Sequence, residues 1–324
     1  MAKNLFDYVK KFLPFIGIII LILIIYSLNF EDIKNAFLSI KPIYIFLALS
    51  LTLPLIIIRN YSWQLILKEQ KIKIGFFQSL KIFLIGFFYC SITPGFVGHV
   101  MRVPYMKQET GEPYGKLFVN VVIDSTVRTI ALYLMILAGA LLVIGHYPEL
   151  FWINITIFTI LVIVLLYLIK KERGEKLFLA LIKYFIPTKL KDNFNKFVNT
   201  FYIDFPRITP LIPPLILSLI TWIIVFTQEY IIVMALGVNI PYHYFILLFP
   251  IANIAGFIPI TFAGIGTREL TSIVIFSTLF AVTKEEVLVF TLVGFIITDI
   301  FIGFIGFLVS LTEARDKSHT KLMI

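Results

Sequence analysis

The sequence has few of the residues from which disulfides, metal centres and common catalytic sites are built. It contains one cysteine, Cys90, and four scattered histidines among 324 residues. A single cysteine cannot form a disulfide within the chain, and no second cysteine or histidine stands at metal-ligand spacing from it. The P-loop, the dinucleotide-binding glycine pattern, His-Glu-x-x-His and Cys-x-x-Cys are all missing. We therefore expect no catalytic residues of these classes, no metal site and no cofactor.

Charged residues are also scarce. They make up 15% of the sequence, whereas hydrophobic residues make up 59%, and the mean hydropathy is +0.96. A soluble domain could not cover its surface with so few polar side chains. The run from Thr291 to Leu311, for example, contains a single ionisable side chain. The composition therefore predicts an integral membrane protein whose solvent is lipid.

The apolar runs predict an all-α polytopic membrane protein with about six spanning helices. A span needs roughly 20 apolar residues to cross the hydrocarbon core. The six candidates are residues 12–30, 42–59, 117–145, 150–170, 209–236 and 286–311. We interpret residues 1–324 as a single transmembrane domain.

Two further apolar regions are interrupted by proline and glycine. Residues 76–101 are broken at Thr93-Pro94-Gly95, and residues 243–280 are broken at Pro250, at Pro259 and at Gly264-Ile265-Gly266. Proline removes a helical hydrogen bond and glycine loosens a helix. We predict re-entrant or broken-helix hairpins here. Ordinary kinked spans are the alternative, since membrane helices tolerate proline.

Loop charge predicts the orientation. Lysine and arginine number 28 against 19 acidic residues, a net charge of +9, and the basic excess falls in residues 59–75 and 170–207. The positive-inside rule places both loops, and with them both termini, on the cytoplasmic side of the cell membrane. Such charges meet anionic lipid head groups, and nucleic acid is not an expected partner. Arg59 is interpreted as an interface anchor. Residues 172–205 read as amphipathic helices along the cytoplasmic interface, or as a cytoplasmic helical hairpin packed on the bundle.

This orientation requires each interrupted region to return to the side from which it came. The halves then form an inverted repeat, an arrangement that transporters use to build a substrate site from broken helices near the midplane. Its units are 42–59, 76–101 and 117–145 in the first half, and 209–236, 243–280 and 286–311 in the second.

Ionisable side chains within spans are the next candidates for function, because a charge at the centre of a membrane helix costs about 2.5–3.5 kcal/mol. Those assigned to charge balance or proton coupling are Asp124, Arg128, Glu229 and Asp299. Asp124 and Arg128 lie four residues apart on one helical face and could form a self-neutralised structural pair. Asp299 has no basic residue within a helical turn. It needs a partner such as Arg102 or Arg268, or it is a protonated acid in a helix contact.

The two interrupted regions end in similar chemistry. Their glycines let backbone amides approach an anion, a helix N-terminus adds positive potential, and an arginine about one turn later can hold a phosphate through two hydrogen bonds. We expect an anionic head group to bind there. The predicted substrate-binding residues are Thr93, Pro94, Gly95, Gly98, Arg102, Thr261, Gly264, Gly266, Arg268 and Glu269.

These motifs resemble those of the lysylphosphatidylglycerol synthase transmembrane-region family, over nearly the whole chain. The family typically shows Pro-x-Thr-Pro-Gly-Gly-x-Gly-x-Arg-Glu. The matching residues are Pro259, Thr261, Gly264, Gly266, Arg268 and Glu269, with Phe262 and Ala263 in place of Pro-Gly. The first motif keeps Pro94, Gly95, Gly98 and Arg102, but His99 stands where an acidic residue is common.

The resemblance implies lipid translocation, because in the two-part bacterial enzymes this region is regarded as the flippase for aminoacylated lipid. No segment outside the predicted spans is long enough for the soluble aminoacyl-transferring domain, so we expect no lipid aminoacylation by this chain alone. The expected partners are membrane lipids and a separate lipid-modifying enzyme, and a homo-oligomer is compatible with the sequence.

The leading hypothesis is a flippase in which a polar or anionic lipid head group enters between the repeats and binds Arg102 and Arg268. One alternative is an intramembrane enzyme that acts on lipid-linked phosphate or sugar, with Asp124 or Asp299 as the base. Another is a non-transporting partner of a lipid-modifying enzyme.

Overall fold

The structure is a computed structural model that describes residues 16–93, 97–145, 147–169, 199–201, 205–256, 261 and 263–322. Helices dominate these residues, and no strand occurs among them. The α-helices in chain order are α1 (Ile16–Ser27), α2 (Phe30–Ser39), α3 (Pro42–Ser50), α4 (Thr52–Glu69), α5 (Phe76–Ser91), α6 (Arg102–Thr110), α7 (Tyr114–Leu142), α8 (Pro148–Ile169), α9 (Ile212–Ala235), α10 (Tyr242–Ala255), α11 (Thr267–Phe280), α12 (Lys284–Phe295) and α13 (Phe301–Leu322). Short 3₁₀ helices cover Val97–Met101 and Thr209–Leu211, and a π-helical segment, Ile296–Ile300, joins α12 to α13.

The prediction of an all-α polytopic membrane protein is confirmed. Five helices in the described part of the chain are long and apolar enough to cross a membrane: Pro42–Glu69, Tyr114–Leu142, Pro148–Leu166, Thr209–Ala235 and Lys284–Thr312. They correspond to five of the six predicted spans. The predicted span 12–30 begins outside the described residues, and the helix seen there, α1, has 12 residues.

The second span continues past its predicted end at residue 59, as far as Glu69. The added turns carry Trp63, Ile66 and Leu67, whose side chains are buried. Apolar area removed from solvent stabilises a helix even where its other faces turn polar. The prediction that residues 59–75 form a loop is therefore wrong for residues 59–69, which are helical.

The second interrupted region folds as a helical hairpin. Helices α10 and α11 have 14 residues each, about 21 Å at 1.5 Å per residue, which is shorter than the hydrocarbon core. The rings of Tyr244 and Phe280 lie 5.6 Å apart at the open end. At the closed end, a Cβ added to Gly264 would lie 2.7 Å from Cα of Gly256. The break predicted at Gly264-Ile265-Gly266 is confirmed, and the two helices run antiparallel. The break predicted at Pro250 is wrong, because Pro250 lies inside α10 and membrane helices tolerate proline. Pro259 lies outside the described residues.

The first interrupted region also reverses direction. Gly98, in the 3₁₀ helix that follows the break, lies so close to α5 that an added Cβ would overlap the carbonyl group of Tyr89. The amide of Gly98 donates to Oγ1 of Thr93 over 2.9 Å, and the hydroxyl of Thr93 donates to the carbonyl of Tyr89 over 2.8 Å. The chain therefore turns back along the end of α5.

The chain forms two compact units. The first unit comprises Met1–Asn60, Leu80–Met101 and Ile220–Ile324, and the second unit comprises Tyr61–Ser79 and Arg102–Leu219. The predictions of one transmembrane domain and of an inverted repeat stay predictions. The predicted amphipathic connection 172–205 lies outside the described residues except for 199–201 and 205.

Each unit has its own core. In the first unit, α11 packs between α10 and α12 around a stack of aromatic rings, with Phe245 at 5.0 Å from Phe249 and at 5.3 Å from Phe276. In the second unit, α7 packs against α6 and α8. The core of the second unit includes Ile66, Val119, Ile123, Val127 and Phe201.

Candidate functional site

The second hairpin positions its charged residues through a glycine turn and a helix N-terminus. Gly264 and Gly266 have φ angles of 79° and 89°, a region that favours glycine. Helix α11 begins directly afterwards, and the amide of Gly266 donates to Oε2 of Glu269 over 2.5 Å. Glu269 thus occupies a position at this N-terminus where the sequence analysis expected the anion of a head group.

Arg268 is buried, with 3% of its surface exposed. Its Nε and Nη2 donate to Oε1 of Glu269 over 3.2 and 2.6 Å. Its Nη1 lies 4.0 Å from Oδ2 of Asp299, and its guanidinium carbon lies 4.4 Å from the ring centre of Phe295. Of the two partners predicted for Asp299, the structure selects Arg268.

Asp299 belongs to the π-helical segment that interrupts the last span. Such segments are rare and often mark functional sites. Oγ1 of Thr298 lies 2.9 Å from Oδ2 of Asp299 and 3.0 Å from the carbonyl oxygen of Gly294. The wider turn thus leaves Asp299 beside a hydroxyl and within reach of Arg268, although no basic residue is near it in sequence.

Glu229 on α9 faces the same group of residues. It is 2% exposed, and it interacts electrostatically with Arg268, Glu269 and Asp299. A Cβ added to Gly294 would overlap the carboxyl group of Glu229, so the glycine leaves the space that this side chain fills. The sequence analysis did not identify Gly294; a glycine amid bulky apolar residues in a span is the signal that points to it.

Arg59 lies differently from the predicted interface anchor. Its guanidinium carbon lies between 5.4 and 5.9 Å from the ring centres of Phe83, Phe87 and Trp222. It also interacts electrostatically with Asp299. The side chain is thus held inside the first unit, where its charge adds to that of Arg268. We call Arg59, Glu229, Arg268, Glu269 and Asp299 the five-charge cluster.

The second unit holds a separate charged group. Arg102 is fully buried; its Nη2 lies 2.8 Å from Oδ2 of Asp124, and its guanidinium carbon lies 4.8 Å from the ring centre of Trp63. Nη2 of Arg128 lies 3.6 Å from the same carboxylate oxygen. The predicted Asp124–Arg128 contact is therefore present, but Asp124 also forms a shorter ion pair with Arg102.

A hydrogen-bonded chain of neutral side chains supports this group. Nε1 of Trp63 donates to Oδ1 of Asn120 over 2.8 Å, and Nδ2 of Asn120 donates to Oε1 of Gln70 over 2.7 Å. All of these side chains are buried. Trp63 and Gln70 were not predicted as site residues, since residues 59–75 were interpreted as a loop, and Asn120 is an uncharged residue in the predicted span 117–145.

Other predicted substrate-binding residues contact neighbouring residues within the turns of the two interrupted regions. Thr93 and Gly98 bond to each other at the first turn, as described above. Thr261 is fully buried, and its Oγ1 lies 3.5 Å from Oγ1 of Thr267. Pro94 and Gly95 lie outside the described residues.

The sequence-family model for the lysylphosphatidylglycerol synthase TM region matches residues 14–306 of the chain. The chain belongs to this family. The matched range contains the charged groups of both units, and the predicted family is thereby confirmed. The lysylphosphatidylglycerol synthase TM region is a membrane region linked to lipid-related function and is not itself a catalytic domain. No curated protein matches the chain in sequence.

Proposed function

We propose that this protein is a lipid flippase that moves a polar or anionic lipid head group between the leaflets of the cell membrane, with both termini on the cytoplasmic side. The observation that carries the proposal is the five-charge cluster in a family linked to lipids. Arg59, Glu229 and Asp299 lie in membrane-spanning helices, and Arg268 and Glu269 lie at the start of the hairpin helix α11. A buried charge in a span is costly, so such groups are retained where a polar species binds or passes.

Arg268 is the proposed contact for the head group. Its Nε and Nη2 are held by Glu269, which fixes the plane of the guanidinium. The 4.0 Å contact of Nη1 with Asp299 is longer than a hydrogen bond. A phosphate oxygen that approaches Nη1 would make a shorter, charge-assisted bond, and the planar fork of arginine suits phosphate geometry.

The charged group of the second unit also suits an anion. Both Arg102 and Arg128 contact the carboxylate of Asp124, and guanidinium groups donate paired hydrogen bonds to phosphates and carboxylates. A lipid-modifying enzyme that supplies the transported lipid is the proposed partner.

The proposal is tested with the purified full chain in liposomes that contain a fluorescent phospholipid. A membrane-impermeant reductant quenches the label in the outer leaflet, and further quenching reports transfer from the inner leaflet. We expect transfer by the wild type, at least tenfold slower transfer by Arg268→Ala, and unchanged transfer by Lys284→Ala, a matched control at an exposed position at the start of α12.

Equal transfer by Arg268→Ala and the wild type would refute the site assignment. Transfer by the wild type no faster than in empty liposomes would refute the flippase itself. Mass spectrometry of the same lipids checks for a new covalent product, which would favour an intramembrane enzyme instead.

A further inference from the structure

The carboxyl group of Glu229 occupies a buried notch above Gly294. Any side chain at position 294 would overlap it, and 2% of the residue is exposed. Oε2 of Glu229 is buried and has no hydrogen-bond partner among the described residues. An ionised carboxylate without a donor is among the most costly groups to bury, whereas a neutral carboxylic acid costs far less.

Every charged neighbour of Glu229 in the described residues is more strongly engaged elsewhere. Arg268 directs two nitrogens at Glu269, whose other oxygen accepts from Gly266. Asp299 has the hydroxyl of Thr298, and both arginines of the cluster act on it. Glu229 is thus the carboxylate of the cluster with the weakest hydrogen bonding.

The neighbouring residue on α9 does not supply the missing donor. Nε2 of Gln228 donates to the carbonyl of Ala48 over 2.8 Å and to Oγ1 of Thr52 over 3.0 Å. These bonds direct its amide toward α3 and the start of α4. The hydroxyl of Thr298, on the π-helical segment, is the one side-chain hydrogen-bond donor that acts on Glu229 among the described residues. Glu229 shares this hydroxyl with Oδ2 of Asp299 and the carbonyl oxygen of Gly294.

The charge count leads to the same residue. In the five-charge cluster two cations, Arg59 and Arg268, stand against three carboxylates. The cluster is neutral when one carboxylate holds a proton, and like charges in a low-dielectric site disfavour a third ionised carboxylate. The proton therefore belongs on Glu229, which has fewer hydrogen-bond donors than Glu269 or Asp299.

We propose that Glu229 is a proton-binding site and that its proton is the coupling ion of lipid transport; the second part rests on the proposed flippase function. The reaction is the reversible release of one proton from the Glu229 carboxyl, which leaves a carboxylate. An anionic head group at Arg268 adds negative charge and favours the protonated form, and its departure favours release. Proton and head group therefore promote each other's binding, since such coupling is reciprocal.

The proton is detected directly by infrared difference spectroscopy of the full chain in liposomes. The spectrum of the wild type minus that of Glu229→Gln should contain the carbonyl band of one protonated carboxyl group. Glu149→Gln is the matched control, because Glu149 is exposed and its difference spectrum should contain carboxylate bands instead. Glu229→Asp should shift the protonated band rather than abolish it. This variant replaces Glu229→Gln in the difference spectrum if the glutamine variant fails to fold.

The second measurement is lipid transfer under an imposed pH gradient. We expect the wild-type rate to change with the direction of the gradient and Glu229→Gln to lose this response. Carboxylate bands alone for Glu229 from mildly acidic to neutral pH would overturn the proton site. A protonated band in a protein that moves no lipid would overturn the flippase and leave the proton site standing, whereas transfer that ignores the gradient would overturn the coupling.

Discussion

The ion pairs of Arg102 and Lys34 are alike in length but opposite in burial, and this contrast yields a quantitative prediction. Arg102 and Asp124 lie 2.8 Å apart with side chains 0% and 5% exposed. Lys34 and Glu31 lie 3.2 Å apart with side chains 52% and 67% exposed. Exposed pairs contribute about 0.2–1 kcal/mol, whereas loss of one partner from a buried pair costs about 3–5 kcal/mol because the other charge is left unpaired.

Asp124→Asn should lower the free energy of unfolding most, because Asp124 forms ion pairs with two arginines. It removes the counter-charge of both Arg102 and Arg128, the latter with a side chain only 12% exposed, while the asparagine oxygen still accepts one hydrogen bond worth about 1 kcal/mol. We expect a loss of about 3–4 kcal/mol. Arg102→Met should cost less, because Asp124 keeps its 3.6 Å contact with Arg128. Lys34→Ala should cost below about 1 kcal/mol.

The assay is reversible unfolding of the full chain in mixed micelles, followed by circular dichroism, with the three variants side by side. The predicted order of destabilisation is Asp124→Asn, then Arg102→Met, then Lys34→Ala. A loss for Asp124→Asn no larger than that for Lys34→Ala would refute the stabilising role of the buried charges. A larger loss for Arg102→Met than for Asp124→Asn would show that the shared carboxylate does not set the order.

Further predictions concern the turns and a helix cap, all measured by the same unfolding assay. Gly98→Ala would overlap backbone atoms of α5 and should cost about 3 kcal/mol or more, whereas Gly75→Ala meets open space and should cost little. Gly264→Ala and Gly237→Ala share positive φ angles of 79° and 71°, but only the former meets another backbone within 4 Å; we expect about 1 kcal/mol at Gly237 and at least 2 kcal/mol at Gly264. Equal losses within either pair would contradict the close approach of the backbones. Thr283→Ala removes the capping box of α12 and should cost about 1 kcal/mol; an unchanged midpoint would count against the cap.

Composition predicts the five spans seen in the described residues and the glycine turn between α10 and α11. A run of apolar residues must be helical in lipid, since every backbone polar group needs an internal partner. Glycine marks the turn before α11, at Gly264 and Gly266, whereas Pro250 lies inside α10. The helical turns that end at Glu69 were not predictable in this way, because protein packing rather than lipid covers Trp63 and Ile66.

The partners of the buried charges were only partly predictable. The spacing of Asp124 and Arg128 identifies neighbours one helical turn apart, and that contact exists. Arg102 is 22 residues from Asp124, and no local pattern connects them. The contact of Glu229 with Gly294 is likewise set by which faces of α9 and α12 meet, which depends on packing that a single sequence does not encode locally.

Movement of lipid by the purified chain alone is the most direct test of the proposed flippase. In liposomes with a fluorescent phospholipid, we expect the impermeant reductant to quench the label beyond the outer-leaflet share, at a rate that increases with the number of chains per liposome. Quenching that stops at the outer-leaflet share, with the chain folded and inserted, would contradict the flippase.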